Sequence, residues 1–410
     1  MTAVPYWQAS DVTLHCGDAR TIWQHLPEQS AHAIITSPPY YGLRDYGVDG
    51  QLGLEESPAE YIEPLADLLT DWGTSVLRAD GSLWLNLGDS YSGSWGNYGA
   101  TATVGSRPKR ERLDMAHGTG RPPTSATDFP NKCLLMIPER VALALIERGW
   151  IFRNRVVWAK PNGMPSSATD RLATKHEALF HFVRQPRYHY DLDAIREPHR
   201  GSSIDRSRYS TSRGLAQARA ATTDGGSVEQ LHREWTPSSG ANPGDVWTIP
   251  TVPNPYGHFA MFPPELVRRP ILATVPEWAC RACGAGRQRI VEASASSWDR
   301  RKADGDPMRY GLNGNAAPLS RSLSDPDDRA AGGFGKPAER QTVGWSDCGC
   351  DAGWAAGTVA DPFAGAGTTA VMARRLGRRS LLVELNADYC QLIARRLAQD
   401  VFTFDGTVGS

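Results

Sequence analysis

Net charge is nearly absent from this 410-residue chain: 44 Lys and Arg stand against 45 Asp and Glu, leaving a formal charge of -1. No overall positive field draws it toward nucleic acid, so any such contact has to use local basic patches. Long apolar runs are missing too, and none approaches the roughly 18 residues that a membrane span requires. The opening Met1-Thr2-Ala3-Val4-Pro5 has neither the charged nor the apolar region of a signal peptide. A cytoplasmic protein with no membrane partner is expected. Cysteine is scarce, at seven residues, and in a reducing compartment clustered cysteines suggest metal before disulfide. No repeat at solenoid periods is present, which excludes stacked arrays.

What is there is an alternation of strands and helices. Asp11 to Cys16 reads as a short strand that stops at Gly17-Asp18, and Ala31 to Thr36 reads as a second. From Pro58 to Val76 the apolar residues Tyr61, Ile62, Leu65, Leu68, Leu69 and Val76 recur near helical spacing. A turn at Ala79-Asp80-Gly81 then leads into a buried strand ending at Leu87. A helix over Pro138 to Arg148 precedes strands at Ile151 to Trp158 and His176 to Val183. At the C-terminus come a strand from Thr358 to Ala360, a helix through Leu376, a strand from Ser380 to Val383 and a helix from Ala387 to Leu397. This order predicts one doubly wound α/β sheet. Three stretches, Ser92 to Pro130, His199 to Gly244 and Arg287 to Thr342, are rich in Gly, Ser, Pro, Arg and Asp and are expected to be loop-like.

Two motifs carry chemistry. Between a strand and a helix, Gly365-Ala366-Gly367-Thr368-Thr369-Ala370 lets the backbone approach a ligand at a helix N-terminus. Glu384 follows 384 − 367 = 17 positions later, at the end of the next strand, where a carboxylate accepts both ribose hydroxyls of an adenosine cofactor. NAD and S-adenosylmethionine both suit that pattern. Asp361-Pro362-Phe363 tilts it to the second, because a carboxylate there would hold an ammonium and repel a pyrophosphate. The other motif is Thr36-Ser37-Pro38-Pro39-Tyr40, a loop stiffened by its paired prolines directly after a strand. The Ser37 side chain and a main-chain carbonyl such as that of Pro38 offer two acceptors for the two N–H bonds of an amino group. Tyr40, helped by Tyr41, offers a ring to stack on a base taken out of a duplex.

Together, Thr36 to Tyr40 and Asp361 to Thr369 resemble the catalytic and cofactor motifs of amino-group DNA methyltransferases, in the permuted order of the β group, with the catalytic motif first. Gly257 to Leu266 resembles the family segment that lines the methionine end of the cofactor pocket, Gly17-Asp18 the acidic position near the adenine, and Leu83 to Asp89 and Val157 to Lys160 its core strands. The resemblance implies a Rossmann-like methyltransferase sheet with one antiparallel strand, circularly permuted so that the two chain ends pair side by side. It implies S-adenosylmethionine as methyl donor and double-stranded DNA as partner, with N4 of cytosine favoured over N6 of adenine because Ser37 precedes Pro-Pro-Tyr. A companion restriction endonuclease is compatible with such an enzyme and not required by it. The expected catalytic residues are Ser37, Pro38, Pro39 and Tyr40. Those expected at the cofactor are Asp18, Thr36, His258, Phe259, Asp361, Pro362, Phe363, Gly365, Gly367, Thr368, Thr369 and Glu384. His258 also reads as a satisfied core histidine and Asp89 as a capping residue. Ala366 departs from the serine of many relatives and leaves the backbone loop intact.

Cys280-Arg281-Ala282-Cys283 and Cys348-Gly349-Cys350 supply four thiolates, the number a closed tetrahedral zinc site needs, although the second pair lies 348 − 283 = 65 positions beyond the first. Four free cysteines are the alternative. Nine arginines and no lysine lie between Arg184 and Arg233, and Arg107, Lys109, Arg110 and Arg112 form a smaller patch. Both suit phosphate and guanine edges, and each also reads as a solvated surface. The expected organisation is therefore 1–198 as the N-terminal half of the catalytic domain, 199–244 as a target-recognition insertion, 245–279 as a cofactor-pocket segment, 280–350 as a zinc-bound insertion and 351–410 as the cofactor-binding half. Rival classes are an NAD-dependent oxidoreductase, which leaves Thr36 to Tyr40 without a role, a non-catalytic zinc module that binds DNA, and a methyltransferase acting on RNA or protein.

Overall fold

The computed structural model describes residues 3–43, 45–92, 129–163, 165–166, 168–198, 240–252, 262–293 and 340–400. Contacts divide the chain into two compact units. One comprises Met1–Asp191, Gly244–Arg287 and Cys348–Ser410, the other Leu192–Pro243 and Gln288–Asp347.

The larger unit is built on a nine-stranded sheet. In chain order its strands are β1 (Trp7–Gln8), β2 (Val12–Cys16), β3 (Ala31–Thr36), β4 (Leu77–Leu87), β5 (Ile151–Ala159), β6 (His176–Val183), β7 (Val246–Thr248), β12 (Thr358–Asp361) and β13 (Arg379–Glu384). They lie in the spatial order β1-β2-β13-β12-β3-β4-β6-β5-β7. From β2 to β4 every pairing is parallel, β6 runs antiparallel to both of its neighbours, and the short edge strand β1 is antiparallel to β2. The C-terminal strands thus insert between β2 and β3, with Leu382 opposite Leu14 and Ala360 opposite Ile34. The two ends of the chain pair side by side, and one interior strand is reversed.

Helices cover both faces: α1 (Ala19–Ile22), α2 (Pro58–Ser75), α3 (Ile137–Glu147), α4 (Pro264–Thr274), α5 (Thr368–Arg375) and α6 (Ala387–Asp400). Helix α2 starts where Ser57 caps Glu60 and Glu60 reaches back to the Ser57 backbone, a reciprocal pair that satisfies two orphan donors, with Pro58 in the first turn. Strand alternation separates the core into layers. Ile34, Leu83, Leu85 and Phe180 pack with Leu65, Leu69 and Trp72 of α2 on one face, while Ile35, Trp84 and Leu179 pack with Leu266 and Ile271 of α4 on the other. A third cluster joins Leu14 and Leu382 to Val371 of α5 and to Ile393 and Leu397 of α6.

Strand β4 departs from the expected turn. It runs unbroken from Leu77, and 82 − 77 = 5 of its positions face 33 − 31 = 2 of β3. The three extra residues are absorbed as a bulge within the strand, so Ala79-Asp80-Gly81 deforms the ladder without ending it. The smaller unit holds a second departure. In the stretch expected to be loop-like, β9 (Arg289–Ala293) and β10 (Arg340–Trp345) pair antiparallel, with Val291 opposite Thr342. β-Branched side chains favour that pairing, but the partner lies about 50 positions away, beyond the reach of a local reading.

Candidate active site

The parallel strands deliver both motifs to one edge of the sheet. β3 ends at Thr36 and releases Ser37 to Tyr40, and its neighbour β12 ends at Asp361 and releases the glycine loop. In that loop Gly365 and Gly367 adopt φ of 54° and 76°, left-handed values that a side chain resists, and Gly367 opens α5. A cleft lies there. Ser37 and Pro39 line it from one motif, and Pro362, Phe363, Gly365 and Thr368 from the other. Asp18, Phe262, Glu384 and Tyr389 contribute the remaining functional walls. Of the other residues expected at the site, His258 and Phe259 lie outside the described residues, as do Arg107, Lys109, Arg110, Arg112 and the arginines from Arg200 to Arg233.

Glu384 is a buried carboxylate on the cleft wall. It accepts hydrogen bonds from the Gly365 amide at 2.7 Å and the Asn386 amide at 2.9 Å, one on each oxygen. Burial, reinforced by the charge of Asp361, pushes its carboxyl up to about 7 against those two bonds. Each oxygen keeps a further lone-pair site for a ligand hydroxyl. Asp18 caps α1 by accepting from the Arg20 amide at 2.8 Å, and the Arg20 guanidinium closes on both of its oxygens, at 3.0 Å on Oδ1 and at 2.9 and 2.6 Å on Oδ2. Burial alone would raise the Asp18 carboxyl, but its bonds and charge pairing with Arg20 outweigh that and hold it below the ordinary carboxylate range.

Asp361, expected to face a ligand ammonium, is instead enclosed. Thr36 Oγ1 donates to Oδ1 and Thr369 Oγ1 to Oδ2, each at 2.7 Å, and the Phe363 amide also donates to Oδ1 at 3.1 Å. The residue is 1 % exposed, and burial pushes its carboxyl up to about 6. Thr36, Asp361 and Thr369 therefore brace the two motif loops against each other, and none of the three lines the cleft. Tyr41 is likewise a core residue, 2 % exposed, with its ring 5.7 Å from that of Tyr61. Asp89 caps α3 through the Ile137 amide at 3.0 Å. Among the described arginines of the expected DNA-reading segment, Arg184 stacks 5.1 Å over Trp150 and Arg196 pairs with Asp193 at 2.5 Å.

A family model described as DNA methylase matches residues 31–280 and 355–395, which together contain both motif loops and every strand of the parallel core except β2. The chain belongs to this N6/N4 DNA methylase family. It is 38% identical over 256 residues to the Type II methyltransferase M.XycI of Xanthomonas campestris pv. cyanopsidis, an alignment covering 62% of this chain and 70% of that one. It is 36% identical to the Type II methyltransferase M.Cfr9I of Citrobacter freundii, covering 65% of this chain and 74% of that one. Among solved structures, PvuII DNA methyltransferase (cytosine-N4-specific) aligns over 100% of this chain and 91% of its own, at 14% identity and a TM-score of 0.48.

Behind Ser37 the methylase carries a polar chain that sequence reading missed. Ser37 Oγ lies 3.3 Å from the Tyr40 hydroxyl, which lies 2.8 Å from Glu177 Oε2 and 3.0 Å from Asn86 Oδ1. Lys160 pairs with the other oxygen of Glu177 and sits 4.3 Å over the Trp158 ring. The tyrosine has one proton, and the charged Glu177 is its stronger acceptor. Ser37 then donates to Tyr40, which leaves the Ser37 lone pairs directed elsewhere. Burial, followed by the Glu177 charge, raises the Tyr40 phenol well above its ordinary range, so it stays protonated. Gly88 makes room for this ring, because a Cβ there would meet Tyr40 Cε2 at 2.6 Å. The available signal was Glu177 itself, the one carboxylate in strand β6, whose other residues are apolar apart from His176 and His181.

Proposed function

We propose that this DNA methylase transfers the methyl group of S-adenosylmethionine to the exocyclic amino group of a base taken out of duplex DNA, with N4 of cytosine the favoured acceptor. The observation that carries the reading is the single cleft lined by Ser37 and Pro39 on one side and by Phe363, Gly365 and Glu384 on the other. Glu384 has acceptor sites to spare for two ribose hydroxyls, Asp18 is held ionised near the same wall, and Phe262, Phe363 and Tyr389 offer apolar faces to a nucleoside. The donor set fits the cofactor. When bound, S-adenosylmethionine supplies an electrophilic methyl group on a sulfonium.

The protein's part is to make a poor nucleophile better. An exocyclic amino nitrogen has its lone pair delocalised into the ring and must become more tetrahedral to react. Ser37 supports that change: with its proton committed to Tyr40, its oxygen acts purely as an acceptor for one N–H of the base. A main-chain carbonyl of the Pro38-Pro39 pair takes the other N–H, and the two together build negative potential where the nitrogen gains positive charge. Tyr61 donates to the Pro39 carbonyl at 2.8 Å and holds the loop from below. No strong base is needed for this geometry: as the C–N bond forms the electrons of the C–S bond remain on sulfur, and the nitrogen, now positively charged and acidic, releases one proton to solvent. Preference for cytosine rests on the family resemblance carried by Ser37 before Pro-Pro-Tyr and not on the motif's chemistry, since the amino groups of both bases present the same pair of N–H bonds.

The test is incubation with unmethylated genomic DNA and methyl-labelled S-adenosylmethionine, followed by digestion to nucleosides and mass spectrometry. Labelled N4-methylcytosine is the expected product. N6-methyladenine would retain the reaction and overturn the base, and no labelled nucleoside from any DNA source would overturn the reading itself.

A further inference from the structure

The methyl-transfer reading leaves four cysteines without a role. Cys280 pairs through β8 (Ala279–Cys280) with β11 (Trp354–Ala355), so that Cys280 faces Trp354 and Ala279 faces Ala355. The Arg281 amide donates to the Gly353 carbonyl at 3.0 Å, and the Arg281 Nε to the Trp354 carbonyl at 2.9 Å. These bonds fasten the Cys280-Cys283 turn to the segment that follows Cys350. As a result the sulfur atoms of Cys280, Cys283, Cys348 and Cys350 all lie within 4.8 Å of one another.

We propose that these four thiolates bind one structural zinc ion. Zinc–sulfur bonds of about 2.3 Å in a tetrahedron give sulfur–sulfur edges of about 3.8 Å, close to the spacing the fold already imposes. The grouping contains four cysteines and, among the described residues, no histidine or carboxylate. That donor set closes a four-coordinate shell and leaves no open position for a catalytic water. Four soft thiolates select zinc over the hard cations that carboxylates hold.

Position supports a structural role as well. The Gly284 carbonyl lies 2.9 Å from His32 Nε2, and Arg78 Nη1 donates to the Cys283 carbonyl at 3.0 Å. His32 Nδ1 accepts from the Thr358 amide at 3.1 Å, so its proton must sit on Nε2, where it is donated to Gly284. His32, Arg78 and Thr358 stand at the starts of β3, β4 and β12, whereas the cleft opens beyond the ends of β3 and β12. The ion therefore lies at the opposite end of the parallel strands from the chemistry. It ties the first turn of the knuckle to three core strands, with the Arg78 guanidinium offsetting part of the charge of the tetrathiolate. It also closes a loop of 348 − 283 = 65 residues, whose ends the unfolded chain would have to search for.

The proposal is independent of the methylation reading, and its test needs no activity. The full chain is purified without chelator or added metal, its metal content is measured by plasma mass spectrometry, and its thiols are titrated after denaturation with chelator. About one zinc per chain and seven titratable thiols are expected. Replacing the exposed ligand in Cys350→Ser should lower zinc retention by about tenfold or more and lower the melting temperature, while S-adenosylmethionine affinity of the folded fraction changes by less than about threefold. Three outcomes on the wild-type chain would each overturn the assignment: no metal with seven free thiols, no metal with 7 − 4 = 3 free thiols, which signals disulfides, or iron in place of zinc.

Discussion

Tyr40 and Glu177, 137 residues apart in sequence, meet at 2.8 Å through the phenol and a carboxylate oxygen. This contact joins the loop after β3 to the reversed strand β6, and through Lys160 it extends to β5. Its consequence is a polarity: the positive end of the chain is Lys160, and the last hydroxyl, that of Ser37, is left as an acceptor.

Tyr40→Phe is expected to slow methyl transfer by about tenfold, the worth of one orienting hydrogen bond, with S-adenosylmethionine affinity unchanged. Glu177→Gln should act in the same direction, because Gln accepts the phenol proton less strongly and leaves Lys160 without its charge partner. Single-turnover rates beside cofactor titrations check both. Unchanged rates in the two variants would mean that Ser37 needs no help from behind.

Ser37→Ala and Glu384→Ala should separate chemistry from cofactor binding. The serine variant is expected to lose about a hundredfold in kcat while binding S-adenosylmethionine as the parent does. The Glu384 variant should lose cofactor affinity first, since it removes both the ribose acceptor and the anchor of the Gly365 amide. Equal loss of affinity in the two variants would refute this division of roles.

The raised carboxyls give stability a pH dependence of defined sign. Glu384 at about 7 and Asp361 at about 6 both exceed the values of roughly 4 that unfolded carboxyls have. The folded chain therefore holds protons that the unfolded chain releases, so this contribution is complete below the unfolded values and is lost as pH rises through 6 to 7. Relative to Glu384→Gln, the unliganded parent should melt higher at about pH 5.5 than at about pH 7.5. Its affinity for S-adenosylmethionine should move the other way, tightening as Glu384 ionises and accepts both hydroxyls. Calorimetry on both proteins across that range checks it, and parallel profiles would remove Glu384 as the titrating group.

Asp361 is expected to matter for stability more than for the ligand ammonium. Thr36→Val and Thr369→Val each strip one donor from a buried carboxylate, which should cost about 1 to 3 kcal/mol. Thermal melts are the measurement, and cofactor affinity in the folded fraction should stay within about threefold. A large loss of affinity with unchanged melting would restore Asp361 as a ligand contact.

By itself the sequence determined the α/β alternation, the two motif loops, the reach of the glycine turn and the presence of four thiolates, because each is written in residues close together along the chain. Helix α2 is legible from its own periodicity and from Ser57, Pro58 and Glu60 at its start; strands β3 and β6 are legible within one residue of their ends. Tertiary structure alone decided the use of each polar group. Both oxygens of Asp361 turn inward to Thr36 and Thr369, Tyr41 enters the core beside Tyr61, and Tyr40 finds Glu177. The first of these hydrogen bonds joins groups 325 residues apart in sequence. A carboxylate in a motif has the same letters whether it faces a ligand or a buried hydroxyl, and only the packing around it fixes which partner replaces water.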